Sequence, residues 1–149
     1  MSIKEILKGI EMFDGLTDSD LESVAAVCRP RQFQEGDVVA EQHSPGVEMF
    51  IIEDGFVEVV VDNSDDAARK VIVNLGSGQT VGEMSLVDQG PRSATVRAIS
   101  SPTVVQVVSQ ADFERLCDEN SRIGYVVMRN IAADLSFRLR QRLMSDKRG

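Results

Sequence analysis

Along the first thirty residues apolar positions recur at helical spacing. Ile3, Ile6, Leu7 and Ile10 fall on one stripe, and after a break at "FDGLT" a second stripe carries Leu21, Val24, Ala25 and Cys28. Thr17 or Asp18 stands where a side-chain oxygen can cap the second helix, and Pro30 is expected to end it. From Phe33 the period shortens. The segments "QEGDVVA", "EMFIIEDG", "FVEVVVD", "RKVIVNLG", "SATVRAIS" and "TVVQVVS" are short, rich in β-branched residues and separated by Gly, Asp, Asn and Pro. Val71, Val73 and Leu75 alternate with Lys70, Ile72 and Asn74, the period of a half-buried strand. Asp54-Gly55 supplies a turn, and "DNSDDAAR", which has no apolar anchor, is expected to be mobile.

Six to eight such strands at close spacing predict a closed or double-sheet antiparallel architecture, a jelly roll or a barrel. After Val108 the helical period returns. Ser109 or Asp112 can begin a helix bearing Phe113, Leu116 and Cys117, and a longer helix from about Ser121 carries Ile123, Val127, Ile131, Leu135, Leu139 and Leu143, mostly four apart. The 149 residues suit one core, so the expected organisation is a single domain over 1–149: N-terminal helices at 1–30, strands at 31–108 and C-terminal helices at 109–149.

Hydrophobic content of 42% and charged content of 27% are ordinary for a soluble globular chain. No apolar run reaches bilayer length and the N-terminus mixes charges into its first turns, so the expected compartment is the cytoplasm, with no membrane partner. Cys28 and Cys117 stand far apart without a CxxC pattern, which points to two buried thiols. A catalytic metal site usually takes two or three imidazoles and the chain offers only His43, so neither a metal nor another cofactor is expected. Charge does change the picture. Residues 1–120 hold 9 Lys/Arg against 22 Asp/Glu, whereas residues 121–149 hold 7 against 2. The basic helix can touch phosphate or an acidic partner, but the acidic body repels a polyanion, and a solvated helix face explains the arginines equally.

One stretch departs from the strand pattern. "NLGSGQTVGEMSLVDQGPRSATV" crowds Gly76, Gly78 and Gly82 before a segment long enough for one helical turn. Free amides at such a turn attract an anion, because the first N–H groups lack intrahelical partners. Arg92 follows the "DQGP" turn as a charge-assisted partner for a phosphate, with the Ser93 hydroxyl beside it. Glu83 would repel a phosphate, yet it suits the hydroxyls of an attached sugar. A carboxylate, a guanidinium and a row of amides together describe a ribose-phosphate site. The same spacing also fits a surface Glu–Arg ion pair across a turn, which is common and contributes little.

"VGEMSLVDQGPRSATV" resembles the phosphate-binding cassette of the cyclic nucleotide-binding domain, shared by catabolite-activator-type regulators, kinase regulatory subunits and cyclic-nucleotide-gated channels. The segment "EMFDGLTDSDLESVAAVCRPRQFQEGDVVAEQ", the "FIIEDGFVEVV" hairpin and "ADFERLCDEN" match the family's order along nearly the whole chain. The resemblance implies a mainly β fold with flanking helices: an antiparallel, jelly-roll-like β-roll with N-terminal helices and a C-terminal lid helix. It implies that Glu83 binds the ribose 2′-hydroxyl and Arg92 the cyclic phosphate. The amides of Glu83, Met84 and Ser85 would complete the cradle, with Gly82 allowing close approach. Ser93 can assist the phosphate and leaves cAMP and cGMP both open. Val73 and Leu75 match positions that line the base, although strand packing explains them equally well. Arg138 falls near the position from which some relatives stack on the base, and Arg142 lies one turn further.

Catabolite-activator-type relatives continue past this helix into a helix-turn-helix domain, whereas this sequence stops at "RLMSDKRG", so no helix-turn-helix, kinase or channel segment is expected. The expectation is a sensor module that binds cAMP or cGMP, is not an enzyme, does not bind DNA by itself, and signals to an unidentified protein partner through movement of its last helix. Homodimerisation through that helix is the second partner reading, although its spacing is nearer four than the three-and-four alternation of a coiled coil. Two other functions compete: a degenerate domain acting as a ligand-independent oligomerisation or docking element, and a cupin-like enzyme.

Overall fold

A computed structural model describes residues 1–62 and 69–148. The segment 63–68, the middle of the polar stretch expected to be mobile, lies outside the described residues. The chain opens with α1 (Ile3–Lys8), a 3-10 turn (Glu11–Phe13) and α2 (Asp18–Ala26). Thr17 is the cap of α2. Its hydroxyl accepts from the Asp20 amide at 3.2 Å while the Asp20 carboxylate accepts from the Thr17 amide at 2.9 Å, a reciprocal capping box. Pro30 does not end this helix. α2 stops at Ala26, and Pro30 lies inside a strand opposite Gln106. That strand is at a sheet edge, where a proline's missing N–H is tolerated.

Among the described residues eight strands follow: β1 (Arg29–Phe33), β2 (Val38–Ala40), β3 (Glu48–Asp54), β4 (Val57–Asp62), β5 (Arg69–Leu75), β6 (Thr80–Val81), β7 (Thr95–Ala98) and β8 (Thr103–Ser109). They form two four-stranded antiparallel sheets in the orders β1-β8-β3-β6 and β2-β7-β4-β5, a β-roll. "FIIEDGFVEVV" is therefore not a hairpin. β3 and β4 belong to different sheets, and the Asp54-Gly55 turn carries the chain between them. The backbone around that turn bonds to the β7–β8 connection instead: the Phe56 amide donates to Ser100 Oγ at 2.9 Å and the Ile99 amide to the Phe56 carbonyl at 2.9 Å.

β3 explains why "MFII" lacks alternation. Phe50 and Ile52 enter a core inside the roll with Val57, Val96, Val105 and Val107, whereas Met49 and Ile51 enter a second core against the helices. A strand buried on both faces reads as a continuous apolar run. β5 departs from expectation in the opposite sense. Val71, Ile72 and Val73 are all exposed: the register with β4 shifts by one residue at Val59/Val60, and Val73 lies on an open cavity.

Ser109 caps α3 (Gln110–Glu119), accepting from the Asp112 amide at 3.1 Å, and α4 (Ser121–Arg148) follows directly. Ile123, Val127 and Ile131 of α4 are buried with Leu7, Phe13 and Phe113. Arg122 pairs with the buried Asp20 carboxylate, and the Asn130 amide donates to the Met12 and Asp14 carbonyls at 3.0 and 2.9 Å. The single apolar stripe expected for this helix divides in two. At 28 residues α4 is about 42 Å long and outruns the core, so that Leu139 and Leu143 are 58% and 57% exposed. Among the described residues no helix is long and apolar enough to cross a membrane. Burial pushes the Cys28 thiol up to about 11 and raises that of Cys117, so both are protonated at neutral pH.

The division of α4 has a measurable consequence. In urea denaturation Ile131→Ala is expected to cost about 2–5 kcal/mol, as for a large side chain deleted from a core, whereas Leu139→Ala changes stability by less than about 0.5 kcal/mol. Equal losses would mean that the distal half of α4 is as deeply packed as the proximal half.

Candidate functional site

All nine residues singled out from the sequence line one cavity of about 530 Å³: Val73, Leu75, Gly82, Glu83, Met84, Ser85, Arg92, Ser93 and Arg138. This volume is in the usual range for a small-molecule site. The cavity lies between the β5 side of the second sheet, the segment linking β6 to β7, and α4. Its chemistry is divided. Val59, Val73, Leu75 and Val81 form an apolar wall, while Glu83, Ser85, Arg92 and Ser93 supply charge and hydrogen-bonding groups.

The polar side is built around Gly82. β6 pairs with β3 through Val81 opposite Phe50, and the chain then turns at Gly82, whose φ of +77° is left-handed. The left-handed φ calls for glycine, and a Cβ there would also crowd the Glu48 carbonyl oxygen at 3.1 Å and the end of the Arg92 side chain at 2.9 Å from Nη1. A 3-10 turn (Glu83–Leu86) starts at this point. No described hydrogen bond engages the amides of Glu83 and Met84, whereas the Ser85 amide donates to the Gly82 carbonyl at 2.9 Å. Ser85 thus has its hydroxyl as the group not committed to the turn. Its side chain is buried, and Leu86 inserts into the helical core, which anchors the turn from beneath.

Arg92 approaches from the other side. Its amide donates to the Ser44 carbonyl and its carbonyl accepts from the His43 amide, both at 2.8 Å. The guanidinium donates from Nη2 to the Glu48 carbonyl at 2.9 Å and lies over the Phe50 ring, with Cζ 5.2 Å from the ring centroid. Burial draws the Arg92 pKa below its ordinary value and the nearby Glu48 carboxylate opposes this, so the group stays cationic at neutral pH. Ser93 is exposed at the cavity mouth.

Glu83 and Arg138 make a contact that the sequence alone did not indicate. The Arg138 guanidinium lies 3.6 Å from Glu83 Oε1 and 2.8 Å from Asp134 Oδ2, and it is 62% exposed. Its partners are carboxylates rather than a flat wall. The i,i+4 relation to Asp134 holds it along α4 and aims it at Glu83. Arg142 is exposed and does not line the cavity.

Several contributors escape a reading of the sequence. Gly46 lines the site, and a Cβ on it would lie 3.1 Å from both the Gly90 carbonyl oxygen and Ser85 Oγ. Asp88 shapes the turn before Arg92 by accepting from the Gly90 amide at 3.1 Å. The Gln89 side chain donates to that of Gln110, the first residue of α3. "SPGVE" carries a turn signal for Gly46, but contacts between residues distant in the chain, such as Gly46 with Gly90 and Gln89 with Gln110, leave no local trace.

The sequence profile described as the cyclic nucleotide-binding domain matches residues 30–120. The chain is 30% identical over 122 residues to a cyclic nucleotide-gated potassium channel of Mesorhizobium japonicum, covering 82% of this chain and 32% of the channel. It is also 30% identical over 116 residues to a cAMP-dependent protein kinase regulatory subunit of Dictyostelium discoideum, covering 76% of this chain and 35% of the subunit. The chain thus spans about a third of the length of these relatives. Among solved structures, the catabolite activator protein of Thermus thermophilus superposes with a TM-score of 0.79 at 26% identity, over 92% of this chain and 62% of that one. With a profile matching more than half its length, and the same roll framed by helices, this chain belongs to the cyclic nucleotide-binding domain family.

Proposed function

We propose that this chain is a receptor module for a cyclic nucleotide, cAMP or cGMP. The observation that carries this reading is the convergence, across the left-handed Gly82, of a partly buried guanidinium and a carboxylate beside an apolar wall. Arg92 would hold the cyclic phosphate together with the amides of Glu83 and Met84 and the Ser85 hydroxyl. Glu83 would accept from the ribose 2′-hydroxyl. Val59, Val73, Leu75 and Val81 would cover the base, with Ser93 beside the phosphate. The names of the channel and the kinase subunit reported above support this ligand class.

The signalling step follows from the partner of Glu83. Arg138 on α4 and a ribose hydroxyl would compete for the same carboxylate. A ligand in the cavity therefore favours one position of α4 over another, which is the differential interaction that a conformational switch requires. The output would pass to a protein partner in the cytoplasm or to a second copy of the chain through the exposed Leu139 and Leu143.

Three outcomes are expected. By calorimetry, Arg92→Ala weakens cyclic nucleotide binding by about 1.5–3 kcal/mol, the range of a hydrogen bond to a charged group, while circular dichroism remains native. Unchanged affinity would remove Arg92 from the site. A 2′-deoxy cyclic nucleotide binds the native protein more weakly than the ribo form, and Glu83→Gln narrows the gap. Equal binding of both sugars would leave Glu83 only its contact with Arg138. Amide exchange over residues 121–145 slows on ligand addition. If only residues 82–93 become protected, α4 is a fixed element and the signal leaves by another route. Should neither nucleotide bind, the ligand-independent docking function takes precedence.

A further inference from the structure

Arg92 is confined on three sides by the protein. Below the guanidinium lies the Phe50 ring, at 5.2 Å from Cζ to centroid. At one edge the Glu48 carbonyl accepts from Nη2 at 2.9 Å, and beside Nη1 the backbone of Gly82 leaves no room for a side chain. Phe50 is itself buried, 1% exposed and packed within the roll core beside Ile52, Val57 and Val105.

Packing alone does not call for an aromatic ring there. The inward face of β3 needs apolar volume at position 50, and Leu or Ile would provide it. A ring adds a face of negative potential, and a cation over that face is attracted most strongly where it is partly removed from water. Arg92 meets that condition, since its side chain descends to the core and burial already lowers its pKa.

We propose that Phe50 is a positioning residue for the anion-binding guanidinium: its ring face holds Arg92 flat against the mouth of the roll, with one guanidinium edge on Glu48 and the remaining donors turned toward the Ser85 side of the cavity. Holding a long, flexible side chain in its binding orientation beforehand reduces the ordering cost when a ligand arrives. The identity of the ligand rests on the cyclic nucleotide reading; the contact between ring and guanidinium does not.

The test replaces Phe50 with 4-fluoro-, 3,5-difluoro- and 3,4,5-trifluorophenylalanine, which preserve the ring's shape while progressively weakening the negative potential of its face. Phe50→Leu serves as a ringless variant of similar bulk. Two readouts are taken: cAMP affinity by calorimetry, and the Arg92 Nε–Hε resonance in the protein without added nucleotide. The expected result is a stepwise loss of affinity reaching about 3- to 30-fold in the trifluoro and Leu variants, with the Arg92 resonance moving in the same order and thermal stability nearly constant across the fluorinated series. If affinity and resonance are both indifferent to fluorination, Phe50 is a core residue only and the proposal is overturned. If the native protein binds no cyclic nucleotide yet the resonance follows the series, Phe50 still positions Arg92, and it is the ligand reading that fails.

Discussion

The site depends on a close approach between the backbone at Gly82 and the guanidinium of Arg92. The Glu48 carbonyl, to which Arg92 donates, and Arg92 Nη1 both lie where a Gly82 side chain would project, at 3.1 and 2.9 Å from a Cβ. A residue larger than glycine would strain a φ of +77° and press on the end of the Arg92 side chain. Because the turn bearing Glu83 starts at this same Cα, the carboxylate, the turn amides and the guanidinium are placed relative to one another by a single backbone conformation. β3 underlies the arrangement. It provides the Glu48 carbonyl and the Phe50 ring, and burial on both faces fixes it between two cores.

The same segment is tied to the helices at three points of different strength. Leu86 enters the core that contains Phe113, Ile123 and Val127, so a displacement of the turn must displace apolar contacts of α3 and α4. Gln89 bonds to Gln110 at the start of α3. Glu83 meets Arg138 at the surface, where an ion pair is weak and readily exchanged. Strong ties at the base and a weak one at the mouth suit a device in which the proximal part of α4 is held while its distal part changes partners. The division of α4 into a buried and an exposed half follows the same line.

Much of this was legible in the sequence because it is local. Helical and strand periods, the Thr17 cap and the glycine-rich approach to Glu83 each show within a few residues. All nine candidate site residues line one cavity for a related reason: most lie in one short segment, and the family resemblance supplied the distant ones. What failed was long-range. Pro30 reads as a helix stop because proline breaks helices, but β1 is an edge strand that accepts it. "EDG" reads as a hairpin because its turn chemistry is the same whether the chain returns in one sheet or crosses to another. β5 reads as half-buried because alternation does not record that one of its sides faces an open cavity. Arg138 could be placed near the site, but its pairing with Glu83 depends on the path of α4 across the roll.

The cavity beside Gly82 is proposed to take a cyclic nucleotide. The most direct test is calorimetric titration of the native protein with cAMP and, separately, with cGMP, with the linear 5′-monophosphates as controls. The account predicts saturable binding of at least one cyclic nucleotide at one site per chain, with the matching linear nucleotide bound more weakly. Absence of saturable heat with either cyclic nucleotide at millimolar concentration would contradict it.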